Sequence, residues 1–245
     1  MRNSKLILHI PHSSTVIPDA YRHIFMDPDD LATIATFSAD LYTEDLYRYP
    51  ATSVIFPVSR LICDVERFRN PEDEAMSKLG MWICYTHDQN GRRIANYDNR
   101  HANEILTRHY DKHHAQLTKA TAVKLQTFDQ ALIVDCHSFP PDLPYYPSGD
   151  LPDICLGLDE YHTPGKLTEL CCRYLEAQGY TVAINHPFNG SLVPLTYYQK
   201  DKRVQSIMLE VSRTLYCDEH NRKISGYNRL KMTLQNLLQI LEQER

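Results

Sequence analysis

The chain has 245 residues and a mass of 28.5 kDa, with 42% hydrophobic and 23% charged residues. A formal charge of −5 and a pI near 6.2 leave no overall basic footprint, which argues against nucleic acid as a partner. No apolar run approaches the ~18 residues that span a bilayer, and MRNSKLILHIPHSS has too short an apolar core for a secretory signal, so a cytoplasmic protein of one domain, residues 1–245, is expected.

The seven cysteines (Cys63, Cys84, Cys136, Cys155, Cys171, Cys172 and Cys217) are odd in number and show no paired CxxC spacing, so they read as reduced thiols. Residues 5–10 (KLILHI) form a first strand that Pro11 stops, with His9, His12, Ser13 and Ser14 gathered at its carboxyl end. Residues 27–49 are mostly helical, and Ser38 and Asp40 mark a break with a new N-cap. Residues 53–58 and 61–65 are strand-like, and the second would set Asp64 and Glu66 on one face with Arg67 beyond. A structural ion pair explains these three charges as well as a site does.

Residues 76–99 are polar and turn-rich, with Trp82 and Tyr85 as anchors and Asn90-Gly91 as a turn between extended pieces. From 99 to about 126 the pattern is helical, with Leu106, Tyr110, His114, Leu117 and Thr121 as its stripe. Of its four histidines, 101, 109, 113 and 114, only His114 falls on that stripe.

The organising stretch is 131–140 (ALIVDCHSFP). Four apolar residues in a row predict a strand buried on both faces, and Asp135 and His137 then point the same way at its carboxyl end. In open α/β sheets that end opens into the ligand crevice. Cys136 adjoins His137, but alternation turns it to the opposite face and into the core. The proline-rich segment 139–153 is long enough for a lid or binding loop.

Residues 153–158 read as a strand, Thr163 and Pro164 as N-cap and first residue of a helix ending at Gly179, and 180–185 as a strand opening into Asn185, His186, Asn189 and Gly190. In the last strand, 204–211, Ile207, Leu209 and Val211 take one face and Met208, Glu210 and Ser212 the other. A Glu there is costly unless paired or ligating. Arg213 follows, and a closing helix carries Leu230, Leu234, Leu237, Leu238 and Leu241.

Alternating strands and helices predict a mainly parallel α/β sheet whose strand ends deliver His12, Asp64 with Arg67, His137 and Glu210. No GxGxxG, P-loop or GxSxG is present. Imidazoles and carboxylates suit a divalent metal with one open position, and a further Glu suits a general base.

The ordered segments HIPHSS (9–14), SADLYTEDL (38–46), SRLICDVERF (59–68), YDKHHAQL (110–117), IVDCHS (133–138), DICLG (153–157), NHPFNG (185–190) and MLEVSRTLY (208–216) together resemble the N-formylglutamate amidohydrolase family. The resemblance implies a phosphorylase/hydrolase-like α/β fold similar to zinc exopeptidases, a three-layer sandwich around a mainly parallel mixed sheet. It implies metal-dependent hydrolysis of the amide of an N-formyl or other N-acyl amino acid, such as N-formyl-L-glutamate. His12, Asp40 and His137 would hold the ion, zinc first with manganese or another divalent ion as the alternative, and Glu210 would be the catalytic base. Arg67, Arg213, Asn185 and Asn189 would hold substrate, while His9, Asp64, His114, Asp135 and Ser138 would be supporting groups or alternative ligands.

The implied partner is a small acidic N-acyl amino acid, with neither nucleic acid nor membrane, and assembly into a homo-oligomer is left open. A non-catalytic relative binding a metal or small acidic ligand is the alternative. Two positions depart from the family pattern: Glu66 stands where the family commonly has Asn, and Ser14 where it has Gly.

Overall fold

Six strands form one sheet in the order β2-β1-β3-β6-β4-β5 in the computed structural model, which describes residues 4–142 and 150–244. The strands are β1 (Leu6–Ile10), β2 (Thr52–Ile55), β3 (Ala131–Phe139), β4 (Ile154–Gly157), β5 (Val182–Ile184) and β6 (Val204–Ser212). All neighbours are parallel except β4 and β6, so the sheet is mixed as expected. β3 sits between β1 and β6 and is buried at all nine positions, which is why its sequence shows no solvent face.

Helices cover both faces. The short α1 (Asp19–Arg22), α2 (Leu31–Ser38) and α3 (Thr43–Leu46) follow β1; α4 (Asn99–Ile105) and α5 (Asp111–Phe128) precede β3. Then come α6 (Gly165–Ala177) and α7 (Gly226–Gln243). One face of the sheet packs on α3, α6 and α7 through Leu8, Leu132, Val134, Ile207 and Leu209 against Leu234, Leu237 and Leu238. The other meets α5 through Ile7, Ile133, Val204 and Leu117. A third apolar cluster lies in the lobe built by residues 17–35 and 56–110, around Phe25, Phe56, Ile62, Ile83 and Tyr85.

Four expectations need correction. Residues 61–65 are no strand: Leu61 and Ile62 lie in a turn in which the N–H groups of Ile62 and Cys63 both donate to Ser59 O, and their apolar side chains fill the lobe instead of a sheet. Asp64 and Arg67 therefore come from a turn and not from a strand end. The 27–49 helix does break near Asp40, but the residue before α3 is Tyr42, at φ 65°, and Asp40 contributes its carbonyl to Thr43 instead of capping with its side chain. Pro164 is the cap residue of α6, one place later than expected, because the Thr163 hydroxyl is engaged with Ser206 O and Asp159 N.

The fourth concerns the long helix. A π turn, Leu106–Tyr110, joins α4 to α5. After it, the buried line runs from Tyr110 to the residue three places on, so His113 is the fully buried histidine, in line with Leu117 and Thr121 as expected of those two, while His114 is half-buried and donates to Val65 O. The strand expected at 53–58 is the shorter edge strand β2. Part of the expected lid, residues 143–149, lies outside the described residues. All seven cysteines are free.

Candidate active site and metal centre

The face that β1, β3 and β6 turn toward α5 is apolar at its start and polar at its carboxyl end. Along β3, Ala131 and Ile133 give way to Asp135 and His137; Ile7 gives way to His9, and Val204 to Glu210. His137 and Glu210 are directly paired in the parallel register, as are His9 and Asp135. Pro11 ends β1, and His12 stands just beyond it.

Asp40 reaches the same place because the α2–α3 connection is fastened across the strand ends. Its backbone N–H donates to His12 O at 2.8 Å, and Arg213 donates to Phe37 O and Ala39 O at 3.1 and 2.7 Å. Gly157 fastens a second loop. A Cβ there would meet Gly190 O at 2.2 Å, so only glycine lets this carbonyl approach and brings Phe188 and Asn189 over the site.

Together these pieces line a cavity of about 450 Å³ that holds His12, Asp40, His137, Glu210, Arg67 and Arg213. His12 Nδ1, Asp40 Oδ2 and His137 Nδ1 converge: the two nitrogens lie 3.6 and 3.0 Å from that oxygen. The far nitrogens are tied to carboxylates, which only accept when ionised, so each Nε2 carries the hydrogen it donates. His12 Nε2 donates to Asp64 at 2.9 Å, and His137 Nε2 to Asp135 at 3.1 Å.

His12 Nδ1 and Glu210 Oε2 are buried without a hydrogen-bond partner. Such orphaned groups are costly in a dry interior and mark a place where something else belongs. Burial pushes the Glu210 carboxyl up to about 8, against the attraction of His137. Asp40 is as buried, yet the imidazoles of His12 and His137 beside it outweigh that and keep its carboxyl below the ordinary range. Burial opposes charge on Asp64 as well, but Arg60 and Arg67 hold it ionised.

Among the other residues singled out, Asn189 and Ser138 line the cavity, and Ser138 Oγ accepts from the Tyr216 hydroxyl at 2.8 Å. His9 lies against Asp135 at 2.7 Å. The structure does not bring in two of them: Asn185 accepts from Leu158 N–H with its side chain, and His114 is held by Val65 O. Arg60 escaped notice although it grips Asp64 through Nε and Nη2 at 3.2 and 2.7 Å, because a pair four residues apart carries no meaning on the strand expected there. His113 escaped notice because it follows Tyr110 on the buried line by three residues and not by four. Glu66, noted beside Asp64 and as a departure from the family pattern but given no role, sits 3.3 Å from both His9 Nδ1 and His137 Nε2.

No helix of the described residues is long and apolar enough to cross a membrane. In sequence, 109 residues are 28% identical to an N-formylglutamate deformylase from Pseudomonas aeruginosa, a stretch that is 44% of this chain and spans only 41% of that relative's length. In structure, the chain superposes on an N-formylglutamate amidohydrolase from Ralstonia eutropha JMP134 with a TM-score of 0.82 at 22% identity, covering 98% and 93% of the two chains. A gene product of Agrobacterium tumefaciens shares the fold more distantly, with a TM-score of 0.65 at 17% identity and coverage of 98% and 92%. The profile of the N-formylglutamate amidohydrolase family matches residues 4–217, and the chain belongs to that family.

Proposed function

We propose that the protein hydrolyses the formyl amide of an N-formyl amino acid, N-formyl-L-glutamate first among them, to formate and the free amino acid, with other N-acyl amino acids as the wider class. The observation that carries this reading is the convergence of His12 Nδ1, Asp40 and His137 Nδ1 beside Glu210 in one cavity of a chain from this family.

The donor set fits a divalent ion. A tetrahedral zinc centre with bonds of about 2.0–2.1 Å separates its ligand atoms by about 3.3 Å, which the 3.0 and 3.6 Å spacings bracket. Imidazoles that bind metals are oriented by a carboxylate on their other nitrogen, the part Asp64 and Asp135 take for His12 and His137. Bound there, zinc or manganese supplies Lewis-acid polarisation to the amide carbonyl and to water.

Glu210 accepts the proton of the attacking water as the new C–O bond forms at the formyl carbon. It returns that proton to the amide nitrogen as the C–N bond breaks, so formate and the amine leave. A carboxyl pushed up to about 8 exchanges protons in both directions near neutral pH. Arg67 and Arg213 supply charge for the substrate's carboxylates, and Asn189 and Ser138 supply hydrogen bonds.

The test loads the protein with zinc or manganese and measures formate from N-formyl-L-glutamate and a panel of N-acyl amino acids. Formate release by the wild type, lost in Glu210→Gln with about one ion per chain retained, is the expected result. Retention of the substrate with no formate would instead make the protein a binder and overturn the reading.

A further inference from the structure

A second set of donors crowds beside the first. His9 Nδ1, His137 Nε2, Asp135 Oδ1 and the Glu66 carboxylate approach one another, and His9, Glu66 and Asp135 alone are close enough to hold an ion. Their spacing decides between an ion and a proton. His9 Nδ1 is 2.7 Å from Asp135 Oδ1, the length of a charge-assisted hydrogen bond and well short of the ~3.3 Å between ligands on a shared metal. The other ring nitrogen of His9 is equally committed, 2.7 Å from His113 Nε2.

The hydrogens in this chain can be placed one by one. Asp135 accepts three donors: His9 Nδ1 and His137 Nε2 at Oδ1, and the Leu192 N–H at Oδ2. With its hydrogen on Nδ1, His9 presents a lone pair at Nε2, so His113 Nε2 must be the donor. That leaves His113 Nδ1 as a bare acceptor, buried and without a partner. The reverse placement would bury an unpaired N–H, which folded proteins rarely tolerate, and would charge His9. Burial, with His9 next, pushes His113 down to about 2, in keeping with a neutral ring. The Phe56 ring, 5.3 Å away and edge-on, helps to hold His113.

We infer that His113 is a positioning residue: through His9 and Asp135 it fixes the tilt of His137, so that His137 Nδ1 faces the ion site, and the second cluster is filled by hydrogens and holds no second ion. This rests on the ion site proposed above. The place of His113 on the buried line of α5 with Leu117 and Thr121 is what delivers it to His9. Without the His113 hydrogen, the His9 Nε2 lone pair is buried with no donor, and the ring loses one of the two hydrogen bonds that hold its tilt against the Asp135 carboxylate under His137.

The experiment compares wild type, His113→Leu, which cannot donate, and His113→Gln, which restores a donor near the same point. Zinc affinity is read by chelator competition, steady-state constants by formate release, and the His9 tautomer by imidazole nitrogen shifts in selectively labelled, ion-free protein. His113→Leu is expected to weaken zinc 10- to 100-fold, to lower kcat with KM changed less than about twofold, and to move the His9 Nε2 resonance away from that of a hydrogen-bonded lone pair. His113→Gln is expected to restore all three, and zinc to saturate at one per chain. Unchanged zinc affinity and an unchanged His9 signature in the Leu variant would overturn the proposal, as would equal damage in Leu and Gln or a second tightly bound zinc. If the wild type binds no zinc, the ion site itself fails, while the comparison of His9 nitrogen shifts still decides the role of His113. Should the Leu variant not fold, the wild-type spectrum decides: a His9 hydrogen on Nε2 contradicts the inference.

Discussion

The two faces of the sheet use the same strands to different ends. Toward α3, α6 and α7, β1, β3 and β6 are apolar except for Gln205 and Ser138 near the strand ends, and the helices that answer them are regular. Toward α5 the strands begin apolar, but at their carboxyl ends they carry His9 and Asp135, with His9 against His113 of the helix, and then His137 and Glu210 beneath an irregular lobe. The difference teaches that stability and chemistry are separated by face and by position along the strand. Helix cover excludes water and asks only for volume, whereas loops can place individual polar groups against the strand ends.

Substitutions can break this separation if it is wrong. The largest effect is expected from Glu210→Gln, which should reduce formate release by about 10²–10⁴-fold while leaving the thermal midpoint unchanged or raised, since a buried neutral amide replaces an acid that burial already disfavours. Steady-state assay beside calorimetry reads both. Leu237→Ala on the opposite face should do the reverse, costing about 2–5 kcal/mol in urea unfolding with turnover per folded molecule preserved.

Tyr216→Phe sharpens the comparison, because the ring packs on the helical face while its hydroxyl reaches Leu41 O and Ser138 Oγ at the site. It should cost about 0.5–1.5 kcal/mol and lower kcat several-fold, so both readouts move together. The smallest effect concerns Asp45, which ties α3 to α7 by accepting from Lys231 and Tyr227. The Lys231 hydrogen bond, then that of Tyr227, lower its carboxyl below the ordinary value. A lowered folded-state pKa adds stability above the unfolded value near 4, which is lost as pH falls through the folded one. The pair is 38% exposed at Asp45 and therefore screened, so the midpoint difference between wild type and Asp45→Asn should be small at pH 6 and vanish toward pH 3, with activity untouched.

The sheet was legible because its determinants are local. The 131–134 run, the alternation of 207–212 and the stripes of α6 and α7 each state which faces are buried. His12, Asp40, His137 and Glu210 were legible through the family resemblance, and the structure brings all four to one cavity. What could not be read depends on non-local packing. Leu61, Ile62, Cys63 and Val65 are apolar because they fill the lobe, and the same pattern would serve a strand. Arg60 has meaning only once a turn brings it round to Asp64. After Tyr110 the helical period admits a buried residue either three or four places on, so His113 was exchanged for His114 while Leu117 and Thr121 kept their expected face.

The central claim is that His12 Nδ1, Asp40 and His137 Nδ1 hold one catalytic ion beside Glu210. Anomalous diffraction from a zinc-loaded crystal tests it most directly. The account predicts a single peak about 2.0–2.1 Å from those three ligand atoms, facing the cavity. A peak centred on His9, Glu66 and Asp135, or no bound zinc in an active enzyme, would contradict it.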